Sequence, residues 1–216
     1  MIGDKLVIKP HHTARAVEIA GYLETRIQAP FAMTVAGESG AGKSEVATEI
    51  ARLLTDKGIK SGILQQDDYF VFPPKTNHEM RRRNIDQVGL YEVKLDFMES
   101  NLRSFKRGES QIYKPLVIFD EDRITTEEME IADLGVLIAE GTYTTSLKFA
   151  DFRVFIDRDY RQTLESREER ARDKFEPFVE QVLEREHRII SKHKTLANAI
   201  ISPDFEQVRF RDPSSD

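Results

Sequence analysis

Residues 31–54, FAMTVAGESGAGKSEVATEIARLL, constrain this chain more than any other stretch. Residues 31–36 are an apolar run with the length of a buried strand. After Lys43 the apolar residues Val46, Ala47, Ile50, Leu53 and Leu54 recur at helical spacing. Between them, Gly37, Glu38, Ser39, Gly40, Ala41, Gly42, Lys43 and Ser44 match the pattern G-x-x-x-x-G-K-[ST] at every fixed position, in the strand-to-helix context that gives the pattern its meaning. Glycines let a backbone wrap closely around phosphate oxygens with its N–H groups turned inward, and a helix N-terminus adds positive potential at the same point. A nucleotide-phosphate loop is therefore predicted, with Lys43 reaching the β and γ phosphates and the Ser44 hydroxyl holding Mg²⁺. A glycine-rich turn that binds nothing is the plainer alternative, and the full match in context outweighs it.

A chain of 216 residues is long enough for one α/β domain with a sizeable core, and its 39% hydrophobic content is that of a globular protein. The formal charge of -6 argues against a nucleic-acid partner, because phosphate backbones are bound by clustered Lys and Arg in excess. Without cysteine there is no disulfide, thiol nucleophile or Cys-based zinc site, which suits a reducing cytoplasm. No apolar stretch approaches the ~20 residues that span a bilayer, and residues 1–12 lack the apolar core of a signal peptide. A cytoplasmic protein with no membrane partner is expected. Homo-oligomer formation is left open by the sequence.

Taken in order, residues 6–8 read as a short strand, and Ala16, Ala20, Leu23 and Ile27 line one side of a helix closed by Pro30. His11 and His12 at its start read as solvated. Residues 62–66 form the next strand, ending in Asp67, Asp68, Tyr69 and Phe70. In a parallel α/β sheet the ligand lies beyond the carboxyl ends of the strands, so these two aspartates emerge beside the phosphates. One carboxylate there can take the proton of an attacking hydroxyl or help hold magnesium through water. Residues 71–90 show no clean period and read as a loop belonging to a substrate lid, with Arg81, Arg82 and Arg83 as a basic run of the kind that is more often solvated. Leu95, Met98, Leu102 and Phe105 mark a structural helix.

Residues 112–119, interrupted by Pro115, suggest an edge strand, Asp120, Glu121 and Asp122 a solvated turn, and Thr125-x-x-Glu128 a capping box opening a short helix. Residues 134–139 are a buried strand that delivers Glu140, placed to orient magnesium or its waters together with Asp68. Residues 152–156 are the last core strand. In the charged helical region beyond it, Arg167 and Arg170 share a face, where they either neutralise a transferring phosphoryl group or belong to a salt-bridged surface helix. His187 and His193 are six apart, on different helix faces, and are not expected to bind a metal together.

The P-loop GESGAGKS, LQQDDYF closing the next strand, VLIAEGTY and FIDRDYRQTLESREERARD together resemble the uridine kinase and phosphoribulokinase family of P-loop kinases, from about residue 31 to residue 201. The resemblance implies that Asp67 is the catalytic base, that Glu140 and Gly141 are the family's acidic dipeptide after the fourth strand, and that Arg167 and Arg170 are its paired lid arginines. The ribose-reading Asp-His-Pro segment of uridine kinases falls where this chain has Leu90, Tyr91 and Glu92. Their Pro-Tyr-Asp segment falls at Pro115, Leu116 and Val117, with Asp122 in place of the histidine that follows it. Their Glu-Arg-Gly-Arg lid falls at Lys174, Phe175, Glu176 and Pro177. The phosphoryl-transfer half is kept and the nucleoside-reading half is not.

These readings predict a three-layer α/β P-loop NTPase fold, with a parallel sheet of about five strands, helices on both faces and a helical lid. Residues 1–216 form one kinase domain, with 71–122 as an acceptor-binding insertion and 159–178 as a phosphate lid. The expected activity is transfer of the γ-phosphate of ATP, with Mg²⁺, to a hydroxyl of a small molecule, a nucleoside or another sugar-like alcohol. Candidate acceptor contacts are Asp67, Tyr69, Tyr91, Tyr113 and Arg123. A hydrolytic NTPase and a non-catalytic nucleotide sensor are the rivals. A guanine-reading Asn/Thr-Lys-x-Asp is not found, and a sensor has no need of a base such as Asp67.

Overall fold

The computed structural model describes residues 1–2, 6–164, 167 and 176–211. Along the chain the elements are α1 (Pro10–Leu23), β1 (Phe31–Gly37), α2 (Lys43–Asp56), β2 (Ser61–Gln65), α3 (Pro74–Arg83), α4 (Leu95–Lys106), β3 (Gln111–Ile118), β4 (Arg123–Glu130), β5 (Val136–Gly141), β6 (Phe152–Ile156), α5 (Pro177–Ile190), β7 (Ala199–Ile201) and β8 (Val208–Phe210). Six strands form one sheet in the order β2-β5-β1-β6-β7-β8, in which β8 alone runs antiparallel to its neighbour.

β1 is buried along its whole length. Phe31, Met33 and Val35 enter a core with Ala16, Ile19 and Leu23 of α1 and Val46, Ile50 and Leu54 of α2. Ala32 and the alternate residues Leu137 and Ala139 of β5 enter the opposite core, with Met98, Leu102 and Phe105 of α4 and Ile190 of α5. A strand covered on both faces needs apolar side chains at successive positions, which is why these strands read as continuous runs. β3 and β4 pair separately as an antiparallel hairpin, residue for residue from Gln111 opposite Glu130 to Ile118 opposite Arg123.

Four sequence readings are corrected. Residues 6–8 form no strand. Ile2 makes an isolated bridge to Ile118 instead, and Pro10 opens α1 at its first position, where a missing N–H costs no helical bond. Residues 71–90 are no plain loop, since they contain α3 followed by a short 3-10 turn. Asn77 is the only α3 residue classed as buried, so the helix carries no apolar stripe for periodicity to find. It is secured at its start by Asp122, whose carboxylate accepts the N–H groups of Lys75 and Thr76 at 2.6 and 3.2 Å and the Thr76 hydroxyl at 2.7 Å. The supposed solvated turn thus supplies a helix cap from the tip of the hairpin. Thr125 to Glu128 lie within β4, because pairing with β3 overrides the local capping pattern.

Candidate active site

β1, β2, β5 and β6 are parallel neighbours, so their carboxyl ends open on one edge of the sheet. Residues 37–44 leave β1 there as a phosphate-sized loop. Gly40 and Gly42 have φ of 73° and 98°, a left-handed conformation that glycine adopts without strain. Space is as tight as conformation. A Cβ on Gly40 would lie 2.6 Å from Arg167 Cγ, and one on Gly42 2.9 Å from His12 Nε2. The loop is therefore held between Arg167 on one side and the α1 start on the other. His12 is buried and sits against Phe205 at 5.3 Å between ring centroids, which corrects its reading as a solvated residue.

Lys43 Nζ donates to the Glu38 carbonyl at 2.8 Å, and Ser44 Oγ donates to Glu140 Oε1 at 3.0 Å. The second contact follows from sheet order. β5 lies between β1 and β2, with Glu140 in register with Val35 on one side and Gln65 on the other. Glu140 therefore emerges between the P-loop and the β2 end that carries Asp67. Burial, and then the Asp67 charge, push the Glu140 carboxyl up to about 7, while Lys43 and the Ser44 hydroxyl hold it down. A carboxyl held up by burial and by a neighbouring acid, beside a hydroxyl, is a setting that a divalent cation relieves. Among the described residues no group of three or more His, Cys, Asp or Glu could hold a metal by side chains alone. The fit is to magnesium, which keeps waters and shares substrate phosphates.

Asp67 and Asp68 part company on the 3-10 turn Gln66–Tyr69, where successive side chains diverge by about a third of a turn. Asp67 is half-buried and within electrostatic reach of Glu140. Asp68 is buried and accepts the Val117 N–H at 2.9 Å and Lys114 Nζ at 3.2 Å, with the Met1 amino group 3.0 Å away. It pins β3 to the end of β2, so its assignment to the metal is corrected. Tyr69 is corrected likewise. It is fully buried, its hydroxyl accepts from Asn101 Nδ2 at 2.8 Å, and burial pushes its phenol above the usual tyrosine range.

The other acceptor candidates sit on the turn before α4 and on the β3–β4 hairpin. Tyr91 is 96% exposed on a turn. Tyr113, half-exposed on the hairpin, bonds Gln111 at 3.1 Å. Arg123 pairs with Glu121 at 2.8 Å and lines an open cavity of about 640 Å³ with Lys94, Phe97 and Thr125.

Arg167 is held over the loop by bonds from Nη2 to the Tyr160 carbonyl at 3.1 Å and from Nε to the Thr163 hydroxyl at 3.3 Å. Arg170 lies outside the described residues, as does most of 165–175.

Two features went unread in the sequence. Glu38, a variable P-loop position, is buried, and its carboxylate contacts His187 Nδ1 at 2.5 Å and accepts the Tyr160 N–H at 2.6 Å. Burial pushes this carboxyl up against both bonds. Arg81, one of the supposedly solvated triplet, forms a bidentate pair with buried Glu92 at 2.7 Å through each nitrogen and reaches Glu186 at 3.1 Å. A charged residue inside a phosphate loop is a signal that could have flagged Glu38. No local pattern distinguishes Arg81 from Arg82 and Arg83.

Residues 32–176 match the family model described as the Phosphoribulokinase / Uridine kinase family. The chain belongs to that family. It is 27% identical over 186 residues to the bifunctional alpha-galactosidase/sucrose kinase AgaSK of Mediterraneibacter gnavus, covering 80% of this chain and 20% of that protein. It is 25% identical over 185 residues to the uridine kinase of Leuconostoc citreum, covering 80% and 87%. The chain therefore spans about a fifth of the first relative's length and most of the second's. In fold it is similar to a possible uridine kinase from Bacillus stearothermophilus (TM-score 0.64, 16% identity, 87% and 97% of the two chains). It is equally similar to phosphoribulokinase from Rhodobacter spheroides (TM-score 0.64, 15% identity, 86% and 81%). The mixed α/β architecture with a mostly parallel sheet is that of the P-loop kinases, and the family is one of phosphotransferases acting on hydroxyl groups of small molecules. Among the described residues no helix is long and apolar enough to cross a membrane.

Proposed function

We propose that this chain transfers the γ-phosphate of ATP to a hydroxyl of a small polyhydroxylated acceptor, a sugar or sugar-like alcohol, with Asp67 as the base. The observation that carries the reading is the convergence of Ser44, Glu140 and Asp67 beside the P-loop, where the Asp67 charge helps to hold the Glu140 carboxyl up at about 7. The P-loop backbone and Lys43 bind the phosphates, and Ser44 and Glu140 are the residues that would hold Mg²⁺. When bound, the metal neutralises phosphate charge as it develops. Asp67 accepts the proton of the acceptor hydroxyl as that oxygen attacks in line. Arg167, held against the loop at Gly40, offsets charge on the transferring group. Residues 71–122 supply the acceptor side, and an ATP-rich cytoplasm is the setting this chemistry suits.

A sugar-like acceptor is favoured because the segments by which uridine kinases are expected to read the nucleoside are replaced at Leu90, Tyr91, Glu92 and Asp122, and because one relative carries a sucrose kinase. A nucleoside is the second reading, supported by the uridine kinases among the relatives. The test is acceptor-dependent ADP formation by the purified chain with Mg²⁺ over sucrose, fructose, glycerate, pentoses, uridine and cytidine. Phosphorylation of a sugar supports the first reading and of uridine the second. ADP release at the same rate without any acceptor would replace both with a hydrolytic NTPase.

A further inference from the structure

Helix α5 carries two consecutive side chains that serve different parts of the molecule. Glu186 meets Arg81 of α3 at 3.1 Å. Arg81 is in turn clamped on Glu92, whose carboxylate also accepts the Gly89 N–H at 3.1 Å and Asn77 Nδ2 at 3.3 Å. This cluster ties α3 to the turn before α4, and its members are largely buried. Next along the helix, His187 meets Glu38 inside the phosphate loop, and its ring lies edge-on to Tyr160 at 5.9 Å between centroids. Consecutive helical residues point about 100° apart, so one rigid helix can address both partners. α5 is itself anchored by buried Val182, Leu183 and Ile190. A single packed element thus touches both the P-loop, at Glu38, and Arg81.

We propose that His187 and Glu186 are positioning residues that hold the nucleotide loop and residues 74–92 in register, so that occupancy of the loop is felt on the acceptor side. The inference rests on the kinase reading, in which in-line transfer demands that the two half-sites be fixed relative to each other. Neither residue needs to touch substrate. Glu38 carries the His187 contact to the loop, and Arg81 with Glu92 carries the Glu186 contact to the acceptor side.

The test is amide hydrogen exchange on the full chain, with and without Mg²⁺ and the β,γ-imido analogue of ATP, which requires no knowledge of the acceptor. In the unmodified chain the analogue should slow exchange at residues 37–44 and also, by about fivefold or more, at residues 74–92. His187→Ala should keep the first effect and lose the second. His187→Gln, whose amide can still donate to Glu38, should restore it, which a merely structural role would not predict. Glu186→Ala approaches the link from its other end and should give the His187→Ala pattern. Slowing confined to residues 37–44 in the unmodified chain overturns the coupling and leaves the kinase reading standing, as does slowing at 74–92 that survives both alanine variants. No slowing at 37–44 overturns nucleotide binding and the coupling with it.

Discussion

The nucleotide side and the Arg81 side of this molecule are assembled in different ways. Around the P-loop the groups proposed to bind phosphate or Mg²⁺ are backbone N–H donors, Lys43 and Ser44, all in a short loop, and Glu140 arrives through sheet register. Around Arg81 the groups are charged side chains from α3, a turn and α5, and the pair Arg81–Glu186 is separated by 105 residues in sequence. The first arrangement prepares charge and geometry for a ligand. The second is held from within, with Arg81 between the carboxylates of Glu92 and Glu186. Loss of a group should therefore register mainly as lost activity on the first side and as lost stability on the second.

Asp67→Asn should sharpen that contrast most. Turnover is expected to fall about 10²- to 10⁴-fold, with affinity for the ATP analogue largely intact in calorimetry. Unaltered turnover would remove Asp67 from the chemistry. On the other side, Arg81→Ala leaves Glu92 and Glu186 facing each other in a buried setting and should cost about 3–5 kcal/mol in urea unfolding. A loss no larger than that of a surface substitution would break the comparison.

The pH dependence of stability tests Glu140 in the absence of magnesium. Its folded carboxyl titrates at about 7 against an ordinary 4.5, so between those values the native chain keeps a proton that the unfolded chain has released. Stability should therefore fall as pH rises through this window, by roughly 3 kcal/mol in all, and change no further above it. Glu140→Gln should lack the fall, and an equal slope in both proteins would show that Glu140 is not held up. The smallest effect is expected at the hairpin tip. Asp122→Ala removes the cap of α3 and should cost about 1 kcal/mol, seen as a small shift of the thermal midpoint.

Particular elements show how far sequence reading reached. The strand and helix flanking the P-loop, the strand 152–156 and the α4 stripe of Leu95, Met98, Leu102 and Phe105 were legible, because apolar burial imposes a period on neighbouring residues. α3 was not, since polar contacts hold it and those impose no period. Asp67 and Glu140 were legible as acids ending buried strands. Asp68 and Tyr69, one and two positions further on, looked equally suitable until the 3-10 turn sent one into an ion pair with Lys114 and the other into the core.

By itself the sequence determined the phosphate loop, the parallel α/β layering around it and the two acids at strand ends, since backbone conformation and apolar alternation are short-range demands met within a few consecutive residues. Only the tertiary structure decided which arginine of the triplet joins Glu92 and Glu186, that Asp122 caps a distant helix, and that His187 meets Glu38. Such pairs depend on which elements come to lie side by side, and a charged residue carries no local mark of the partner that folding will bring to it.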